Sequence, residues 1–119
     1  MLEFDFQKKE LYTQILDYIK RMYAISRKFP SNELYGLTSQ IQRASSSIAL
    51  NFAEGWGRHN VKEKCQFYRV ARASIFECVS IMDISRQQNY VEDLEYNEII
   101  TISNELSTRL CSLIKTLQN

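Results

Sequence analysis

Apolar residues recur along this chain in steps of three and four, and no stretch alternates with the period of two that a strand requires. Leu11, Ile15, Tyr18, Met22, Ile25 and Phe29 keep one side of a first helix apolar over about residues 5–28. Charged residues such as Lys8, Glu10, Asp17 and Lys20 fall between them, and Arg27 and Lys28 suit a helix C-terminus. Pro30 stops that helix, because it donates no hydrogen bond and disfavours helix before itself.

Ser31 or Asn32 is placed to cap a second helix, with Glu33 in its first turn and Leu34, Leu37, Ile41, Ala44 and Ile48 as its apolar seam. Gly55-Trp56-Gly57 should end it, since glycine tolerates the left-handed conformation at a helix C-terminus. Asn60, with Glu63 three residues on, resembles a capping box that opens a third helix. Phe67, Ala71, Ile75, Cys78 and Met82 are its expected core, and it should end near Gln87–Asn89. A fourth helix starts around Val91–Asp93. Glu92, Asp93, Glu95 and Glu98 offset its dipole there, and Ile99, Ile102, Leu106, Leu110, Leu113 and Leu117 form its seam. Four helices of roughly 22–28 residues with short links predict an all-α, up-down antiparallel four-helix bundle. One domain spanning residues 1–119 accounts for the whole pattern.

Composition agrees. One proline and three glycines in 119 residues leave little punctuation beyond the links between helices. The net charge of +1 is low for a dedicated nucleic-acid binder, so such a role must rest on a local patch. No apolar run reaches the roughly 18–20 residues needed to span a bilayer. Met1-Leu2-Glu3-Phe4-Asp5-Phe6 carries acids where a secretory leader would carry lysines. Three cysteines without CxxC spacing fit a reducing cytoplasm. Cys78 and Cys111 read as small core hydrophobes, and Cys65 as partly exposed.

A polar ladder runs beside the seam of the second helix. Arg43, Ser47, Asn51 and Glu54 fall within an arc of roughly 80°. Ser74 and Glu77 border the seam of the third helix. These six residues predict a hydrogen-bonded network between the two helices. It would fix helix register or a subunit contact. The alternative is a small-molecule or catalytic site around Arg43, Asn51 and Glu54, which requires a pocket reaching the ladder.

These same residues carry a resemblance. Leu34-Tyr35-Gly36-Leu37-Thr38-Ser39-Gln40-Ile41-Gln42-Arg43-Ala44, then Ser47-Ile48, Asn51, Ala53-Glu54-Gly55 and Gly57-Arg58, resemble the four-helix bundle family of 23S rRNA intervening-sequence, or S23, proteins. Lys62-Glu63, Phe67, Ala71, Ala73-Ser74 and Glu77 continue the family pattern into the third helix, and Phe29-Pro30 precedes it. The chain departs from the pattern at Gln42, where the family often has arginine, at Leu50 and Phe52 beside Asn51, and at Ala73, which replaces a usual glycine. The resemblance implies a small cytoplasmic bundle that forms a ring-like homo-oligomer, often a pentamer. It does not imply a ribosomal subunit, because the label comes from gene location. A similar bundle, the accessory variability determinant of diversity-generating retroelements, binds nucleic acid and a reverse transcriptase through a basic surface.

Arg58, Lys62, Arg69 and Arg72 share a face of the third helix within about 80°, opposite its core seam. Phe76 lies on that face and Trp56 is close in sequence. Cations beside aromatics suit phosphates and stacked bases, which points to RNA or DNA as a partner. A ring would multiply a modest patch into a continuous one. Phe76 and Trp56 are alternatively subunit-interface aromatics. The rival to nucleic-acid binding is a scaffold for a protein partner. His59, the only histidine, has no neighbouring set of ligand residues, so no metal is expected. No glycine-rich phosphate loop and no Glu-x-x-His pair occurs. Neither a cofactor nor an enzymatic activity is expected.

Overall fold

A computed structural model of the chain describes residues 4–119. The acidic start at Met1–Glu3 lies outside them. Four α-helices follow one another: α1 (Glu10–Ser26), α2 (Leu37–Gly57), α3 (Val61–Gln87) and α4 (Asp93–Gln118). No strand occurs among the described residues. The links are short and the arrangement is up-down, so α1 and α3 run one way and α2 and α4 the other. The long dimension of 43 Å is that of one helix, since 27 residues span about 40 Å.

The apolar seams meet in one core. Ile15, Tyr18, Met22, Ile41, Ile48, Ile75, Met82, Ile99, Leu106 and Leu110 are all buried within it. α2 and α3 share the most extensive interface. Small side chains explain this: Ala44 and Gly55 on α2 and Ala71 on α3 are buried and let the backbones approach. α1 and α4 meet less extensively and are joined by polar contacts instead. Arg21 pairs with Glu98 at 2.6 Å and Lys28 with Glu95 at 2.8 Å, while Arg109 bonds Gln14 nearer the other end. Within that seam Tyr18 Oη and Ser103 Oγ lie 2.8 Å apart. Exposed ion pairs of this kind each contribute about 0–1 kcal/mol, so α1 is held chiefly by its buried stripe.

Several boundaries differ from the sequence expectation. α1 is 17 residues long because Lys9 is extended, and Asp5–Lys8 form a separate 3-10 turn. That turn folds back: the Phe6 ring meets Tyr12 edge-on at 4.9 Å. α2 starts only at Leu37, because Ser31–Glu33 form their own 3-10 turn. Neither Ser31 nor Asn32 caps α2; the Glu33 carboxylate accepts from Leu37 N–H instead, at 3.3 Å. Leu34 therefore precedes the helix and is 55% exposed rather than part of the seam. The third-helix expectations fare better at the ends, since Asn60 accepts from Glu63 N–H at 3.2 Å and α3 stops at Gln87.

Helix phase shifts a few core assignments. Tyr68 and Cys65 are buried at 1% exposure, whereas Phe67 is only half-buried at the α2 side. Cys65 is thus enclosed, not partly exposed, because the end of α2 covers the first turns of α3. On α4 the buried stripe runs through Ile114, leaving Ile102, Cys111, Leu113 and Leu117 half-buried.

No glycine has a positive φ. Gly55 is required for close approach: a Cβ there would lie 2.7 Å from Tyr68 Cε1 and 3.1 Å from the Lys64 carbonyl oxygen. The left-handed residue is Asn89, at φ 63° beyond the end of α3. Tyr90 N–H reaches the Ser85 carbonyl at 2.8 Å and Asn89 N–H the Arg86 carbonyl at 3.0 Å, closing the helix in a Schellman-like turn.

Candidate nucleic-acid interface

Antiparallel packing gathers four distant segments at one end of the bundle. They are the N-terminal turn, the α2–α3 link Arg58–Asn60, the start of α3 and the end of α4. Dividing each helix near its middle gives this half residues 4–18, 47–74 and 106–119. It holds nine Lys and Arg against five Asp and Glu. The opposite half, residues 19–46 and 75–105, holds six against eight. A nearly neutral chain is therefore polarised along its axis, with net charges of +4 and −2.

The four expected basic residues differ in their engagement. Lys62 and Arg69 are exposed on the outer face of α3 and form no ion pair among the described residues. Arg58 is paired with Glu54 at 3.1 Å, and its guanidinium lies 4.8 Å over the Phe67 ring. Arg72 is half-buried and turns towards α4, with its guanidinium 4.8 Å over Phe76. Its Nε is buried and has no hydrogen-bond partner among the described residues. Phe76 itself is 55% exposed. Trp56 is half-buried in the bundle, 6.3 Å from Phe52, with Lys9 Nζ 5.0 Å from its ring. Lys64 does not join the basic face. Its ammonium turns inward, donating to the Trp56 carbonyl at 2.8 Å and the Gly55 carbonyl at 3.3 Å, and so satisfies the open end of α2.

The polar ladder is shorter than the sequence suggests. Asn51 Nδ2 donates to Ser47 Oγ and to the Ser47 carbonyl, each at 2.9 Å. Ser74 Oγ lies 3.0 Å from Ser47 Oγ and 3.0 Å from the Val70 carbonyl oxygen, which joins α3 to α2. Arg43, Glu54 and Glu77 are exposed and stand outside this set, because the α2–α3 approach leaves them on its rim. Glu54 is taken by Arg58. It also lines a depression of about 850 Å³ with Phe4, Leu50, Trp56 and His59, which neither Arg43 nor Asn51 reaches. Among the described residues no group of His, Cys, Asp and Glu is placed to hold a metal ion. No helix there is long and apolar enough to cross a membrane.

Burial shapes the titration of the core. It pushes the Cys78 thiol up to about 12, although a hydrogen bond from Tyr18 partly offsets this. Burial likewise pushes the Tyr68 hydroxyl up to about 12 and raises Tyr18. All three are neutral at physiological pH, so none supplies a nucleophile or base.

Two features escaped sequence reasoning. Lys9 and Lys115 add cations to the basic end from segments far from α3 in the chain. The second is a groove of about 750 Å³ between α3 and α4, beside Arg72 and Phe76. Folding the sequence in half at each link would have exposed the first; the second depends on how deeply two helices interlock.

The architecture, four antiparallel helices around one core, places the chain among all-α four-helix bundle proteins. Residues 7–112 match the 23S rRNA-intervening sequence protein family, and the chain belongs to it. A protein of unknown function from the S23 ribosomal protein family of Bacteroides thetaiotaomicron has a similar fold. It aligns with a TM-score of 0.80 at 20% identity over 88% of this chain and 98% of that one. No protein with a curated description is similar enough to match.

Proposed function

We propose that this protein is a non-enzymatic, cytoplasmic bundle that self-assembles and binds RNA or DNA through its basic end. Lys62 and Arg69 contact phosphates, and Arg58 and Arg72 add positive potential on either side. The observation that carries this reading is the pair of exposed cations on α3, without an ion pair among the described residues, within an end of net charge +4.

Self-assembly draws on apolar exposure. Leu50 on α2 and Val70 on α3 are 67% and 48% exposed, each about one turn towards the basic end from the Ser47–Ser74 contact. A homo-oligomeric ring, a pentamer, would cover them and align the basic ends on one side. The protein-scaffold alternative draws on the opposite end, where Leu34, Tyr35 and Leu94 are exposed at 55%, 94% and 72%.

Light scattering with and without short RNA and DNA, at low and moderate salt, tests both parts. A ring-sized mass that rises with nucleic acid and falls back with salt is expected. Replacing Lys62 and Arg69 by glutamine should flatten the salt dependence by a slope of roughly 1.4 on single strands. A ring indifferent to nucleic acid would leave the protein-scaffold reading, and a monomer would overturn the assembly.

A further inference from the structure

We infer that the α3–α4 groove at Arg72 and Phe76 is a nucleobase subsite, which makes unpaired, single-stranded nucleic acid the preferred ligand. The inference rests on the nucleic-acid reading above and specifies its substrate class. A row of cations alone would suit a duplex or a single strand, because both present phosphates. The groove separates them.

Phe76 lies on the same outward face of α3 as Lys62 and Arg69 and is more than half exposed. Arg72, four residues earlier, sets its guanidinium 4.8 Å over the ring. That cation forms no ion pair among the described residues, and its Nε is buried without a partner. The groove beyond is lined by Thr101, Asn104, Thr108 and Ser112, with Lys115 among the lining residues and Glu105 as its acid. Its volume of about 750 Å³ is ample for a base and its sugar. Hydroxyl and amide groups match the donor and acceptor edge of a base, the aromatic ring matches its face, and Arg69 and Lys115 suit the flanking phosphates. A paired base has both its face and its pairing edge occupied, so a duplex cannot use this surface.

The test compares a fluorescently labelled single strand, its duplex and an abasic strand of the same length by anisotropy at low salt. The single strand should bind at least about fivefold tighter than the duplex, and the abasic strand should fall to the duplex level. Phe76→Leu should remove the single-strand advantage and leave duplex binding in place; Phe76→Trp should keep it. With Trp56→Phe as background, the Phe76→Trp indole should be quenched by the single strand and not by the abasic one. Equal binding of all three ligands would overturn the base subsite while leaving the phosphate contacts standing. No binding of any ligand would overturn both readings. A fall in assembled mass on Phe76→Leu would make Phe76 a subunit contact and overturn the subsite.

Discussion

Adding one methyl group at Gly55 should destabilise the bundle, although the same change is favourable in most helices. Gly55 lies within α2, where alanine gains up to about 1 kcal/mol over glycine. Against that gain stands the Tyr68 ring. The new Cβ would meet its Cε1 at 2.7 Å and Cδ1 at 2.9 Å, with the Lys64 carbonyl oxygen at 3.1 Å. Tyr68 cannot swing away cheaply, being 1% exposed and packed 5.6 Å from Phe52. Overpacking of this kind costs about 1–3 kcal/mol. With the full helical gain set against it, Gly55→Ala should therefore lose a net of up to about 2 kcal/mol. Gly57 supplies the internal control. It has nothing within 4 Å of an added Cβ and an ordinary φ, so Gly57→Ala should be neutral or gain a few tenths of a kcal/mol. Urea unfolding at matched protein concentration, followed by Trp56 fluorescence and helical circular dichroism, measures both. The cause can be isolated in a Tyr68→Leu background, where the ring is gone and the penalty of Gly55→Ala should shrink to what the Lys64 carbonyl contact leaves. A Gly55→Ala variant about 1 kcal/mol more stable than the parent, or a penalty undiminished by Tyr68→Leu, would refute the steric reasoning.

Asn89→Gly should stabilise the protein by up to about 1 kcal/mol, because φ 63° strains any residue with a Cβ, while Asn89→Val should lose about 1–2 kcal/mol by the same measurement. Alkaline pH should weaken the fold. The Cys78 thiol, ordinarily near 9.0, and the Tyr68 hydroxyl, ordinarily near 10.0, stay protonated in the folded protein until about 12. Between those limits the unfolded chain sheds protons that the native state keeps. Stability should be flat up to about pH 9 and then fall by about 1.4 kcal/mol per pH unit for each such group. Urea midpoints from pH 7 to 11 check this, and Cys78→Ala should delay the decline. Tyr18→Phe should cost about 1 kcal/mol in the same unfolding assay, since Ser103 Oγ loses the Tyr18 hydroxyl at 2.8 Å and keeps its own donation to the Ile99 carbonyl.

Most of the architecture was legible because burial stripes repeat with the helical period. Ile15, Met22, Ile41, Ile75 and Leu106 are all where that period puts them. The misreadings cluster at helix ends. Leu34 fits the phase of α2, yet the 3-10 turn at Ser31–Glu33 breaks the helix before that phase applies. Gly55 reads as a helix terminator, and only the position of Tyr68, thirteen residues later, shows that its role is close packing. Asn89 carried a turn signal that the more familiar glycines obscured.

The candidate site was legible only in part, for a different physical reason. The period of a helix tells which residues share its face, so Lys62, Arg69 and Phe76 could be grouped from sequence. It does not tell which side chains neighbouring helices occupy. Glu54 engages Arg58, the backbone at the end of α2 engages Lys64, and α4 draws Arg72 into a groove. The polar ladder contracts for the same reason. Asn51 finds both its acceptors on Ser47, one turn back in its own helix, and the link to α3 narrows to a single pair of serines. Sliding α3 by one turn would part Ser74 from Ser47, so this hydroxyl pair favours the observed register. Inside the α2–α3 seam the polar groups of Ser47, Asn51 and Ser74 are thus engaged with one another, and Arg43 and Glu77 stand exposed on its rim. On the proposed reading the partner is sought instead on the outer face of α3, where Lys62 and Arg69 are exposed and form no ion pair among the described residues.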